Sequence, residues 1–282
     1  MPTLEDTTSK DSTPSWLNAV PKIVADEIFS LAADYRLDPN PQKVDLLIGA
    51  YRSDDGNPCP LPSVLEAERR ILSQNDLGKH EYLPIEGDAT YLRLAQKLLF
   101  AQDDQSELLQ RIVSVQSISG SGAIHIGAAF LSRFLKPRCV WVSDPTWGPH
   151  ILILERPLTF CVAQSFSKNF GLYGQRTGAF HFINNSRGTT IQSNILQQLR
   201  FIIRTEYSTP PRTGCNIVKT ILGDPELKSQ WLSDVSSMSK RLGQVRSALH
   251  GGLSALAESG DFDHIMKQVM KHELCLVCHS IS

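Results

Sequence analysis

Apolar and polar positions along this chain follow two alternating patterns. In 63–74 (SVLEAERRILSQ) and 90–100 (TYLRLAQKLLF) the apolar residues recur at steps of three and four, which predicts amphipathic helices. The run at 111–118 is short and strand-like, 139–142 (CVWV) reads as a buried strand, and the apolar runs at 158–163 (LTFCVA) and 179–183 (AFHFI) predict two more strands. An apolar helix is expected from 123 to 135. From 189 onward the pattern turns mostly helical, with a long amphipathic stretch over 226–258. Strands taking turns with helices, followed by a helical remainder, predict an α/β layer with a parallel or mixed sheet and a second, helical part.

Composition narrows the class of function. The chain has 282 residues, 41% hydrophobic and 20% charged, enough to bury a sizeable core. Its 28 Lys and Arg against 29 Asp and Glu leave a net charge of -1, which gives no electrostatic case for nucleic acid or an anionic membrane surface. No run approaches the roughly 18 apolar residues of a membrane span. Residues 1–14 (MPTLEDTTSKDSTP) carry no apolar signal core and too many acids for a transit peptide, so a disordered lead-in is expected. Six cysteines without a secretory signal imply reduced thiols and a cytoplasmic protein.

Two segments ask for a phosphate. Ser119-Gly120-Ser121-Gly122 lies between a strand and a helix, where small residues let the backbone approach an anion and the helix start offers N–H groups. It is no nucleotide P-loop, because no Gly-Lys-Ser/Thr follows. The second segment, 164–176 (QSFSKNFGLYGQR), packs a lysine, two serines and an arginine after an apolar strand. A lysine can form an imine with an aldehyde cofactor while Ser and Arg hold its phosphate. The bland alternatives are a plain connector and an exposed surface lysine. Ser165-x-x-Lys168 also fits a penicillin-binding pattern, whose Ser-Asp-Asn and Lys-Thr-Gly partners are missing.

In this light the sequence resembles the aspartate aminotransferases, the class I, fold-type I pyridoxal-phosphate enzymes. The resemblance rests on Ser15-Trp16 with Pro21, 43–46 (KVDL) running into 49–52 (GAYR), 80–87 (HEYLPIEG), 116–123 (QSISGSGA), 143–148 (SDPTWG), 164–176 and 207–211 (YSTPP). It implies αβα layers around a mostly parallel sheet, with an N-terminal arm over 15–48, a cofactor-binding large domain over 49–222 and a helical small domain over 223–282. Lys168 matches the Schiff-base lysine, which also shuttles the α-proton. Ser165, Arg176, Gly120 and Ser121 match phosphate ligands, and Tyr82 the tyrosine that reaches the neighbouring subunit's phosphate, which implies a homodimer. Trp147 matches the ring stacked on the pyridine, Gly49 a backbone contact to the substrate α-carboxylate, and Arg204 the arginine that crosses the dimer to the distal carboxylate. The implied substrates are amino acids and 2-oxo acids, L-aspartate with 2-oxoglutarate first, and the implied cofactor is pyridoxal 5'-phosphate; no metal, nucleic acid or membrane is implied.

The chain also departs from that pattern. Only 149–164 separate the Trp147 motif from the lysine segment, where the family has a long block carrying the Asp at the pyridine nitrogen. The small domain is expected to be cut short, and with it the α-carboxylate arginine. These departures raise an alternative: an impaired relative that binds the cofactor or dimerises without efficient turnover. The tail's Cys275-x-x-Cys278-His279 fits a haem-attachment pattern and half a zinc site, and is read as a chance product.

Overall fold

A computed structural model describes residues 27–45, 47, 49–74, 77–100, 108–137, 139–142, 160–184, 189–256, 262–267 and 274–279. The expected lead-in over 1–14 and Trp147 lie outside the described residues. The chain divides into two compact units, with the boundary after Gly49. The first carries helix α1 (Glu27–Leu37), beyond which the Lys43 ammonium reaches the carbonyls of Tyr35 and Asp38, both at 2.7 Å.

The second unit is built on five strands: β1 (Ile112–Ile118), β2 (Cys139–Val142), β3 (Phe160–Ser165), β4 (Thr177–Ile183) and β5 (Leu274–His279). Its helices are α2 (Pro62–Ser73), α3 (Ala89–Phe100), α4 (Ser119–Phe130), α5 (Thr189–Glu206), α6 (Thr213–Gly223), α7 (Pro225–Leu256) and α8 (Asp263–Lys267). Strand order is β1-β4-β3-β5-β2.

The α/β class holds, with one correction. All four adjacent pairs among the described strands are antiparallel, where a mostly parallel sheet was expected. β1, β2 and β3 do run the same way, but β4 and β5 run opposite and lie between them. β3 and β4 are joined only by the turns of 166–176, shorter than the crossover of a dozen or more residues that parallel neighbours require. A second difference is that 274–279, expected within a helical remainder, pairs as β5 with β2 and β3.

Burial explains the layers. On β4 the side chains alternate: Phe180 and Phe182 pack with Ile126 and Phe130 of α4 and with Leu199, Ile202 and Ile203 of α5. On the other face Ala179 joins Tyr91, Phe166, Phe170, Ile217, Ile221 and Trp231 in a cluster shared by α3, α6 and α7. Asp224 caps α7 by accepting from the N–H groups of Glu226 (2.9 Å) and Leu227 (3.0 Å), and pairs with Arg70. α7 reaches the lysine segment directly: the Trp231 indole donates to the Asn169 carbonyl at 2.9 Å and stacks on Phe170 at 4.7 Å between centroids.

Candidate active site

The phosphate-seeking segments meet where β1 and β3 end and β4 begins. Helix α4 starts four residues earlier than the pattern predicts, so Ser119, Gly120, Ser121 and Gly122 form its first turn and leave N–H groups without helical partners. Ser119 sits there in left-handed backbone (φ 59°), as does Arg176 (φ 49°). The Ser119 N–H donates to the Arg176 carbonyl at 3.0 Å, joining the two strained residues. Such backbone costs roughly 1–3 kcal/mol per residue and clusters at functional sites.

Three hydroxyls fill the cradle. The Ser119 Oγ lies 3.1 Å from Ser165 Oγ and 2.9 Å from Ser167 Oγ, and the Ser167 N–H donates to Ser165 Oγ at 3.2 Å. Gly120 permits this approach: a Cβ there would lie 3.3 Å from the Ser165 Cβ. Arg176 is exposed and donates from Nη1 to the Tyr173 carbonyl at 3.2 Å. Hydroxyls and helix-start amides beside a glycine, with an arginine in the adjoining turn, are the groups that suit a phosphate monoester.

Lys168 follows Ser167 in the turn after β3. Its Nζ lies 4.8 Å from the centre of the Tyr173 ring, and partial burial lowers its pKa. A depressed lysine carries more neutral amine at a given pH than a solvated one, which a nucleophile toward an aldehyde requires. The Tyr173 hydroxyl accepts the Tyr51 N–H at 2.8 Å, which fixes the ring against Lys168.

The structure thus brings Gly120, Ser121, Ser165, Lys168 and Arg176 to one corner. Tyr82 and Arg204 stand on two other surface segments, Tyr82 being 85% exposed and Arg204 donating to Ser208 Oγ from the last turn of α5. Gly49 is exposed at the end of the first unit. The two motifs contain Ser119, Ser167 and Tyr173, but the resemblance gives none of them a role. The first two were visible as extra hydroxyls in the motifs, whereas Tyr173 carries no local signal.

Comparison with known proteins now gives the corner a family. The model for "Aminotransferase class I and II" matches residues 41–157 and 152–270, two pieces that meet in the shortened stretch. An L-tyrosine:2-oxoglutarate aminotransferase from Aspergillus ustus is 33% identical, covering 90% of this chain and 69% of that protein. Its alignment runs over 359 positions, more than the whole 282-residue chain, so that relative carries a long stretch with no counterpart here. The solved aspartate aminotransferase from Saccharomyces cerevisiae cytoplasm superposes with a TM-score of 0.78 at 30% identity, over 89% of this chain and 85% of that one. An aromatic-amino-acid aminotransferase from Burkholderia pseudomallei, covalently bound to pyridoxal phosphate, gives 0.77 at 26% identity over 90% and 86%. With the family model matched over most of its length and fold-type I enzymes as its structural neighbours, the chain belongs to the class I aspartate aminotransferase family.

Proposed function

We propose that this chain binds pyridoxal 5'-phosphate at the Ser119–Ser165–Lys168–Arg176 corner and transfers an amino group between L-aspartate and 2-oxoglutarate as a cytoplasmic homodimer. The observation that carries the reading is the hydroxyl cradle at the α4 start, one residue from a lysine with a lowered pKa. When bound, the cofactor supplies an aldehyde and an electron-withdrawing ring. The residues of the chain divide the remaining tasks. Ser119, Gly120, Ser121, Ser165 and Arg176 hold the phosphate, and the Lys168 amine anchors the aldehyde and carries a proton at Nζ. Trp147 supplies a flat apolar face, Gly49 a backbone contact to the α-carboxylate, and Tyr82 and Arg204 reach the partner's site.

Covalent mapping tests the anchor. Borohydride reduction after incubation with pyridoxal phosphate should place the pyridoxyl group on the Lys168 peptide. The label should appear at a lower pH than on surface lysines, because neutral amine is present there sooner. A label spread evenly over surface lysines, or none, would sink the assignment.

Arg204 carries the dicarboxylate preference. Arg204→Gln should lower activity toward aspartate about thirtyfold, equivalent to about 2 kcal/mol for one lost charge-assisted pair, and leave aromatic substrates nearly unchanged. Equal losses on all substrates would show that Arg204 is structural. The comparison matters because the relatives include both a tyrosine and an aspartate enzyme.

One observation favours a second reading, a cofactor-binding relative with poor turnover. The family match breaks into two pieces at the shortened stretch between Trp147 and Ser165, where the resemblance places the carboxylate that faces the pyridine nitrogen. Turnover per labelled chain separates the two readings: stoichiometric label with negligible transfer selects the second.

A further inference from the structure

Arg212 precedes α6 and reaches back across 130 residues to the segment that carries Tyr82. Its Nε donates to the Glu81 carbonyl at 2.9 Å and its Nη2 to the Tyr82 carbonyl at 3.1 Å. These two carbonyls belong to the peptide planes on either side of the Tyr82 Cα. Pinning both planes fixes the backbone dihedrals at Tyr82, and so the direction in which its side chain leaves the surface. The ring itself remains 85% exposed.

The base of this fork is also fixed. Buried Gln116, on β1, donates from Nε2 to the Pro211 carbonyl at 2.7 Å, the residue before Arg212. The Tyr207 hydroxyl donates to the Gln116 carbonyl at 3.2 Å, and the Gln116 N–H to the Glu86 carbonyl at 2.8 Å. Gly87, at φ 100°, lies against the Gln116 side chain, where a Cβ would approach its Cβ to 2.3 Å. Two ion pairs close the frame, Glu86 with Arg200 and Asp88 with Lys219. Segments 81–88 and 207–212 are therefore one tied body anchored on β1. An exposed aromatic held this firmly by its backbone is arranged for contact with something outside its own chain.

We propose that Arg212 is a positioning residue: its guanidinium fork aims Tyr82 at the cofactor phosphate held by a second copy of this chain. The inference rests on the function proposed above and adds a residue to it. A planar fork with parallel donors suits two successive carbonyls, whereas a lysine ammonium is a single point with no fixed spacing. Arg212→Lys should therefore restore little of what Arg212→Ala loses.

The test uses the full chain and pyridoxal phosphate, with affinity followed by quenching of tryptophan fluorescence and Lys168 labelling by borohydride. Arg212→Ala should weaken cofactor binding about tenfold, and in a double-mutant cycle with Tyr82→Phe the two losses should overlap rather than add. Mixed dimers of Lys168→Ala with Arg212→Ala chains fix the direction of action. Acting across the dimer, Arg212 leaves the single lysine-bearing site with wild-type affinity, because the Tyr82 it receives comes from the chain that retains Arg212. Unchanged affinity in Arg212→Ala, additive losses in the cycle, or a weakened site in the mixed dimer would overturn the positioning role. A wild-type chain that takes up no cofactor on Lys168 would overturn the proposed function and this inference together, whereas a wild type that loads normally confines any failure to Arg212.

Discussion

Gly178→Ala is expected to destabilise the protein by about 3 kcal/mol and to abolish cofactor loading, although residue 178 carries no chemistry. Gly178 lies on β4 opposite Ser165 of β3 and Ser117 of β1. A Cβ built there would stand 2.6 Å from the Gln164 carbonyl oxygen, 2.6 Å from the Ser119 carbonyl carbon and 2.7 Å from the Ser119 oxygen. All three are backbone atoms, so no rotamer change relieves the clash. β4 must move away from β3, or the start of α4 must move away from both. Either shift separates Ser119 from Ser165 and Ser167 and breaks the bond from the Ser119 N–H to Arg176 that holds the strained turn. The buried Tyr91 hydroxyl, which donates to the Gly178 carbonyl at 2.9 Å, would also lose its alignment. Gly174→Ala is the control. Nothing lies within 4 Å of its added Cβ, so its stability should stay within about 0.5 kcal/mol of wild type. Urea midpoints and borohydride label stoichiometry for the two variants decide the matter. Equal midpoints would show that the sheet corner is soft, and the cradle would then need another source of rigidity.

The parts of this corner differ in how well they could be read from sequence. Lys168, Ser165, Arg176, Gly120 and Ser121 stand in two short motifs. Their residue types suit an anion and an amine nucleophile as well as a plain connector and a surface lysine, and it is the family resemblance that gives them roles. Folding brings the motifs together because β1 and β3 end at the same edge of the sheet. Ser119 was harder. Four small residues of low helix propensity suggest a loop, and a local reading starts the helix at Ala123. The hydroxyl contacts of Ser119, to residues 46 and 48 positions away, decide the matter against propensity. Tyr173 and Arg212 were illegible for a similar reason. One acts through a ring seated by the Tyr51 amide and the other through carbonyls 130 and 131 positions distant, and neither leaves a local spacing.

Sheet pairing was less legible still. An apolar run of five to seven residues fixes a buried strand and says nothing about its neighbour. The connection from β1 through α4 to β2 does run between strands of like direction, as an alternating pattern suggests. β4 nevertheless takes the place beside β1, its Ile183 opposite Ile112 and its Thr177 opposite Ile118. In 274–279 (LCLVCH) the aliphatic residues between the cysteines suit a strand, a pattern hidden within a stretch expected to continue a helical domain.

Acid should destabilise this protein through a residue far from any proposed chemistry. His181 is fully buried on β4, on the face toward α3, with Phe100 edge-on at 6.0 Å. A chain of hydrogen bonds surrounds it. Gln96 Nε2 donates to Ser114 Oγ at 2.6 Å, Ser114 Oγ lies 2.7 Å from His181 Nδ1, His181 Nε2 lies 3.0 Å from Gln164 Oε1, and Gln164 Nε2 donates to the Ala95 carbonyl at 3.4 Å. Neutral imidazole with its proton on Nε2 satisfies every link, with Ser114 donating to Nδ1. A second proton on Nδ1 would oppose the Ser114 hydroxyl proton and place a charge where no carboxylate faces it within this chain of bonds. Burial accordingly pushes the His181 pKa down from 6.5 to about 3. The sign follows from proton counting: between those values the unfolded chain binds a proton that the folded chain does not. His181 therefore costs nothing above about pH 6.5, and stability falls below it by up to about 1.4 kcal/mol per pH unit, reaching about 5 kcal/mol near pH 3. Glu86 and Asp88, which burial raises but hydrogen bonds to Arg200 and Lys219 lower further, add their own losses at lower pH. Comparison with His181→Phe removes that background. The variant should be less stable than wild type at pH 7.5, because Ser114 and Gln164 lose a buried partner, yet the gap should close steadily as pH falls from 6.5 to 4.5. Urea unfolding at four pH values measures it, and parallel stability curves would show that His181 takes up its proton in the folded state. Gln164 precedes Ser165, so the same proton that breaks the His181 network loosens the strand that carries the cradle.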